Sequence, residues 1–157
     1  MDPDIIWKCN KNYAFIKDFS IKSNSFIKLK KKPFESLKEL SEISKIKFPA
    51  SLPPMSAGLI GYLSYESIEL YEKVPHRKKS EINLPDGYFI RPRVMVIFDN
   101  IKNELTIASP IRYDSNESFE SLYSNKKTLI KKIINKLNTR ILTKKKYLNL
   151  TLKKPKS

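Results

Sequence analysis

The sequence predicts an α+β fold in which an antiparallel sheet carries packed helices. Short β-branched and apolar runs separated by turn residues indicate the strands, and three stretches with helical spacing of apolar residues indicate the helices. Hydrophobic residues make up 40% of the 157 residues and aromatics 11%, which is enough to build a core. This length suits one domain.

The opening of the chain predicts an antiparallel meander. Residues 5–8, 13–17 and 26–29 are rich in apolar and β-branched side chains. The Asn-Lys-Asn run at 10–12 is typical of a turn, and the more polar stretch at 18–24 indicates another turn.

Two helices are predicted in the first half of the chain. Pro33 suits a first helical turn because that position needs no N–H donor, and apolar residues then recur every three positions up to about Ser44. Prolines at 49, 53 and 54 end this helix. A second helix is predicted over residues 64–73, with Tyr65, Ile68 and Tyr71 on one side.

The third and longest helix is predicted over residues 116–138. Polar residues at 114–116 can cap it, acidic residues lie near its positive end, and a long apolar stripe follows. Between the helices, residues 57–63 predict a buried strand and residues 94–98 a central strand, which pairs with 104–108 in a hairpin. Residues 74–83 are polar and predict a surface loop.

The net charge of +15 is unevenly distributed. Residues 126–157 carry twelve Lys or Arg and no acid, so nineteen basic and sixteen acidic residues remain before them. Lys far outnumbers Arg, and Lys lacks the bidentate geometry that reads bases and phosphates. The charge therefore favours compositional bias with a basic tail over a nucleic-acid-binding surface.

Residues that could carry chemistry are few. Cys9 is the only cysteine and His76 the only histidine, which favours a half-buried thiol and a solvated loop imidazole over a nucleophile, base or zinc site. Glu66, Glu69 and Glu72 could hold a metal on neighbouring helix turns, but a solvated acidic face is the favoured interpretation. The sequence contains no glycine-rich phosphate-binding motif.

The segment PPMSAGLIGYLSYE, residues 53–66, is the most informative feature. Two of the three glycines in the chain lie within it. Glycine in an apolar strand indicates a bulge or a close backbone approach. Because no charged residue lies between Pro53 and Ser64, packing against the following helix is favoured over a ligand-facing backbone.

This segment, here called the signature segment, resembles the amino-terminal region of anthranilate synthase component I, which aminodeoxychorismate synthase component I shares. A second block at residues 84–99 resembles the family's LPD…F…FD pattern at the expected distance. Ala57 departs mildly from the family's usual Gly. The residues that carry the resemblance are Pro53, Pro54, Gly58, Gly61, Tyr62, Tyr65, Glu66, Leu84, Pro85, Asp86, Phe98 and Asp99.

The resemblance implies a domain division. Residues 1–139 are expected to be the amino-terminal domain, truncated at its start, within a larger two-lobed α/β sandwich. Residues 140–157 are expected to be a basic linker towards a missing chorismate-binding domain. No counterpart of the family's Leu-Glu-Ser motif, on which feedback inhibition by tryptophan depends, precedes Asp2.

The resemblance also implies a function. The intact cytoplasmic enzyme converts chorismate to anthranilate, uses Mg²⁺, and receives ammonia from a glutamine amidotransferase subunit. Its chorismate and Mg²⁺ ligands lie in the carboxy-terminal domain, so no catalytic, cofactor-binding or metal-binding residue is expected in this chain. The expected role is scaffold and part of the feedback-regulatory lobe, with unpaired apolar surface and poor solubility when isolated.

Three alternatives remain open. The chain could be the same region of the folate-pathway enzyme aminodeoxychorismate synthase component I. It could be a small basic nucleic-acid-binding module, or a free-standing regulatory domain that binds an amino acid. A membrane span is not expected, because no apolar run approaches the roughly 20 residues required.

Overall fold

A computed structural model of the chain describes residues 3–21, 25–72, 84–112 and 117–139. These residues confirm the α+β class, with antiparallel sheets and two α-helices. The elements are β1 (Pro3–Asn10), β2 (Tyr13–Asp18), β3 (Ile27–Lys28), α1 (Pro33–Ser44), a 3₁₀ turn (Pro54–Ser56), β4 (Ile60–Leu63), a 3₁₀ helix (Tyr65–Leu70), β5 (Gly87–Pro92), β6 (Met95–Asp99), β7 (Glu104–Ala108) and α2 (Phe119–Asn138).

The main sheet has five strands in the order β3-β2-β1-β5-β4, and every adjacent pair is antiparallel. The predicted meander is confirmed as β1, β2 and β3. A turn at Lys11 and Asn12 joins β1 to β2, with Lys11 in the left-handed region at φ 50°. Because β5 pairs with the other edge of β1, the strand nearest the amino terminus lies at the centre of the sheet.

The core lies on one face of this sheet. Successive side chains of a strand point to opposite faces, so the alternate residues Ile5, Trp7 and Cys9 of β1 share the buried side. Ala14 of β2 and Leu40 of α1 complete the buried cluster. Helix α1 has the predicted bounds, with Pro33 in its first turn, and the indole N–H of Trp7 donates to Ser36 Oγ at 3.0 Å.

Strand β4 differs from the prediction of a buried strand over residues 57–63. It begins only at Ile60, and Gly61, Tyr62 and Leu63 are exposed. The reason is its position, because β4 is an edge strand with β5 as its only neighbour in the sheet. An apolar run does not by itself distinguish a central strand from an edge strand.

The prediction of a central strand at residues 94–98 is also wrong. Strand β6 pairs with β7 in a separate two-stranded sheet, so the predicted hairpin is confirmed, but Phe98 is 66% exposed. The strand that lies between β1 and β4 inside the main sheet is β5, which the sequence pattern did not predict. Its composition, GYFIRP, mixes apolar, charged and proline residues, which conceals its strand character.

Two helix predictions need correction. Residues 65–70 form a 3₁₀ helix and not an α-helix, since Ser67 N–H donates to Ser64 O and Tyr71 N–H to Ile68 O. Such i→i+3 bonding is typical of short segments. Helix α2 begins at Phe119, and Ser118 Oγ caps it by accepting from Ser121 N–H. The proposed caps at 114–116 lie outside the described residues.

Helix α2 is amphipathic as predicted, yet none of its residues is buried. Phe119, Tyr123, Ile134 and Leu137 are each between 42% and 54% exposed. The loop predicted at 74–83 and the basic linker at 140–157 fall outside the described residues. Neither described α-helix is long and apolar enough to cross a bilayer.

Candidate functional site

The signature segment meets the main sheet at Gly61. This residue pairs with Phe89 of β5, and a Cβ added to it would collide with the carbonyl oxygen of Tyr88 and lie 2.6 Å from Phe89 Cα. The close backbone approach predicted for the glycine is therefore present. Its partner is the neighbouring strand, and not the following helix as the sequence interpretation had it.

The end of β4 is tied to the start of the second block by two hydrogen bonds and by close packing at Gly87. Tyr62 Oη donates to Pro85 O at 3.2 Å, and Ser64 N–H donates to Asp86 O at 2.7 Å. A Cβ added to Gly87 would lie 2.8 Å from Leu63 Cδ2. The two blocks that carry the resemblance thus pack directly on each other.

Asp86 lies at the centre of this junction and is only 5% exposed. Its carboxylate accepts a hydrogen bond from the backbone N–H of Lys11, and its own N–H donates to Cys9 O at 2.9 Å. A buried carboxylate needs such donors because burial removes its hydration. Asp86 therefore holds the β1–β2 turn against the start of β5.

The prolines and the first glycine of the signature segment shape its backbone. Pro53 O accepts from both the N–H and the hydroxyl of Ser56, at 2.9 and 2.7 Å, which closes the 3₁₀ turn that begins at Pro54. Gly58 has φ +143°, a conformation that side-chain-bearing residues rarely adopt, and a Cβ added there would meet no atom within 4 Å. Gly58 is thus required by backbone conformation and Gly61 by space.

A small cavity of about 180 Å³ lies between the end of α1 and the signature segment. Ser44, Gly58 and Leu59 are among its lining residues. Ser44 Oγ is buried and has no hydrogen-bond partner among the described residues. The cavity has room for a few water molecules and is smaller than the usual ligand pocket.

Several other residues that carry the resemblance are exposed at the surface. Tyr65 is 88% exposed, Phe98 is 66% exposed, and Glu66 and Leu84 are exposed too. Asp99 begins the β6–β7 turn, where its Oδ1 accepts from the N–H groups of Ile101 and Lys102 at 3.0 Å each. The hydrogen bond from Lys102 is the main reason that the pKa of Asp99 lies below its ordinary value.

Cys9 is fully buried, deeper than the half-buried position predicted for it. Burial raises the pKa of its thiol to about 11, with the charge of Asp86 adding to the rise and the Gly87 N–H opposing it. The thiol is therefore protonated at neutral pH and is not a nucleophile. His76 lies outside the described residues.

Metal-ligating side chains are not brought together within the described ranges. Among those residues, no group of three or more His, Cys, Asp or Glu could hold a metal ion. Glu66 and Glu72 are exposed, and Glu69 is partly buried on the 3₁₀ helix.

A charged cleft that the sequence analysis did not single out lies at the other end of β5. Arg91 Nε donates to Asp4 Oδ1 at 2.7 Å, and Arg112 Nη1 lies 3.6 Å from Asp4 Oδ2. Lys126 of α2 lines the same cleft. These residues are far apart in sequence and form no local motif, so only the tertiary fold brings them together. The β1–β5 pairing places Asp4 near Arg91, while Arg112 follows β7 and Lys126 lies on α2.

Comparison with known proteins gives consistent results, although no protein-family model matches the chain. Anthranilate synthase component 1 of Cereibacter sphaeroides is 36% identical over 125 residues, which cover 79% of this chain and 25% of that protein. The Aquifex aeolicus protein of the same name is 31% identical over 128 residues, covering 78% and 25%. The Thermus thermophilus protein is 39% identical over 61 residues, covering 39% and 13%.

A solved structure shares the fold. Anthranilate synthase component I from Streptococcus pneumoniae TIGR4 matches with a TM-score of 0.63 at 22% identity, over 85% of this chain and 28% of that one. The chain thus spans about a quarter of the length of the Cereibacter and Aquifex relatives. By sequence, and with a fold that agrees, the chain is a relative of anthranilate synthase component 1.

Proposed function

We propose that the chain is the amino-terminal, non-catalytic portion of an anthranilate synthase component 1. Residues 1–139 form the domain, and residues 140–157 form a basic linker towards a chorismate-binding domain. The proposal is supported by three relatives whose name is anthranilate synthase component 1, of which this chain matches a quarter or less. In this view the chain contributes to tryptophan biosynthesis in the cytoplasm as part of a larger lyase.

One observation carries the proposal. Two of the residues that carry the resemblance hold the backbone in position. Gly61 leaves room for the β5 backbone, and Asp86 accepts a hydrogen bond from the Lys11 N–H in the β1–β2 turn. Neither presents a reactive group to solvent. Since the described residues contain no cluster that fits Mg²⁺, no step through the metal is assigned to them.

The proposed role is scaffold together with part of the wall around the tryptophan feedback site. Chorismate, Mg²⁺ and the glutamine amidotransferase subunit are assigned to the rest of the enzyme. The fully buried Trp7 and the packing of α1 on β1 support a scaffold role, because they form a core that does not use the signature segment's exposed residues.

An activity assay tests the proposal. The purified chain is incubated with chorismate, Mg²⁺ and ammonium, and anthranilate is measured by its fluorescence. We expect no signal above a sample without protein, while the intact Cereibacter sphaeroides relative serves as the positive control. Anthranilate formation by the chain alone would contradict the proposal.

Two binding experiments test two of the alternatives, the free-standing regulatory domain and the nucleic-acid-binding module. A calorimetric titration with tryptophan should show no micromolar binding, since such binding would favour a free-standing regulatory domain. A nucleic-acid-binding module would show affinity that falls steeply with salt and is lost when residues 140–157 are deleted. We expect no such affinity, because the net positive charge of the chain is attributed to its Lys-rich composition and not to a nucleic-acid-binding surface.

A further inference from the structure

The charged cleft opens at the amino-terminal end of β1. It has a volume of about 690 Å³, within the range of small-molecule pockets. Its walls come from β1, the end of β2 and the residues after it, α1, the end of β5, the segment that follows β7, and α2. Four of the lining residues carry the proposal: Asp4, Arg91, Arg112 and Lys126.

Positive charge exceeds negative charge among the lining residues, with four basic and three acidic side chains. The carboxylate of Asp4 is shared between two guanidinium groups, at 2.7 Å from Arg91 and 3.6 Å from Arg112. The other two acids of the lining are Asp18 and Glu117. Asp18 already accepts from the backbone and hydroxyl of Ser20, and Glu117 is exposed at the rim.

Arg112 has donors that its surroundings leave unused. Its side chain is 17% exposed, and its Nε and Nη2 atoms are buried without a hydrogen-bond partner in the described residues. Buried donors are nearly always paired, so this pair requires an explanation. Nε–H and Nη2–H form one edge of the guanidinium plane, which matches two oxygens of a carboxylate or phosphate.

The surroundings of Arg112 and Lys126 disfavour the charged forms of these two side chains. Burial, and then the nearby Arg91, lowers the pKa of Arg112. Burial also lowers the pKa of Lys126, and Arg93, Arg112 and Arg91 add to that effect while Asp4 opposes it. A bound anion would offset this repulsion by pairing with both groups.

We propose that this cleft binds the carboxylate or phosphate group of a small molecule, with Arg112 as a two-point anchor and Lys126 as a second positive contact. The proposal does not depend on the assignment of the chain to anthranilate synthase, because it uses only the cleft's own geometry and charge. Arg91 and Asp4 hold the floor of the site through their ion pair.

Calorimetric titrations of the 157-residue chain test the proposal. Inorganic phosphate and malonate are the two probes, each at constant ionic strength maintained with sodium chloride. We expect saturable binding of at least one probe. Arg112→Lys keeps the positive charge but loses the paired N–H donors of the guanidinium edge, so it should weaken binding about tenfold or more. Lys132→Met, on the exposed side of α2 outside the cleft lining, should leave binding unchanged.

The pattern of binding identifies the chemistry. Saturation by phosphate alone assigns a phosphate ligand, saturation by malonate alone assigns a carboxylate, and either result supports the site. Lack of saturable binding by both probes, or an equal loss from Lys132→Met, would overturn it. If Arg112→Lys does not fold, Lys126→Met provides a second variant, for which weaker binding is expected and unchanged binding counts against the site.

Discussion

The carboxylate of Asp86 accepts a hydrogen bond from the backbone N–H of Lys11, across 75 residues of sequence. Lys11 adopts φ 50°, which costs a side-chain-bearing residue some stability. The bond stabilises this turn from outside it. A residue of the second block thus supports the first hairpin of the chain.

Asp86→Ala should lower the free energy of unfolding by about 2 to 3 kcal/mol, because the Lys11 N–H loses the charged acceptor that the buried Asp86 supplies. Urea denaturation provides the measurement. Asp99→Ala is the matched control, since Asp99 also accepts backbone N–H groups but in an exposed turn, and its loss should be smaller. Equal losses from the two variants would contradict the role given to Asp86.

Gly61→Ala should destabilise the chain by about 3 kcal/mol, because the added methyl group meets the backbone of β5 and backbone cannot yield as a side chain can. Gly58→Ala isolates the conformational effect, since space is free there and only φ is unfavourable. Its expected cost is about 1 to 2 kcal/mol. Thermal and urea denaturation of both variants check the order, and a larger loss at Gly58 would reverse the interpretation.

The hydrogen bond from Trp7 Nε1 to Ser36 Oγ should contribute about 1 kcal/mol of coupling between β1 and α1. A double-mutant cycle of Trp7→Phe and Ser36→Ala measures it. Ser36 Oγ also donates to Pro33 O at 2.8 Å, so the single Ser36 variant should cost more than the coupling alone. A coupling energy near zero would show that α1 is held by apolar contact only.

Cys9 should make stability depend on pH in the alkaline range. Its folded pKa is raised from 9.0 to about 11, so the unfolded chain releases the thiol proton first as the pH rises. The contribution is therefore complete below pH 9 and is lost as the pH rises towards 11. Over this pH window, the free energy of unfolding should fall more for wild type than for Cys9→Ala. Parallel curves of stability against pH for the two proteins would contradict the burial of the thiol. The two proteins differ only at residue 9, so the comparison isolates the thiol.

The exposed apolar side of α2 should bind a hydrophobic dye such as anilinonaphthalene sulfonate. Ile134 and Leu137 are 42% and 47% exposed, so replacing both with Gln should reduce dye fluorescence. Lys132→Gln with Lys136→Gln is the control on the same helix, and it should leave the fluorescence unchanged. A chain that binds no dye, or a control with the same effect, would show that this surface is covered.

Local sequence pattern was sufficient where neighbouring residues determine the structure. The bounds of α1 follow from Pro33 and the spacing of its apolar residues, and the two hairpins follow from turn residues between β-type runs. The contact between Gly61 and Phe89 was predicted only in part. The glycine indicated a close backbone approach, but the strand that it approaches was not predicted. The cleft at Asp4, Arg91 and Arg112 was missed because its members share no local spacing.

By itself the sequence determined the α+β class, the opening meander, the first helix and the resemblance to anthranilate synthase component I. Only the tertiary structure decided that β1 is the central strand, that β5 lies beside it, and that β4 lies at the edge. The physical reason is that strand order depends on pairing between distant segments, while composition reports only how well each segment fits a pleated surface. The two blocks that carry the resemblance therefore marked the family. Their contacts, from Ser64 to Asp86 and from Gly61 to the β5 backbone, became visible only in the fold.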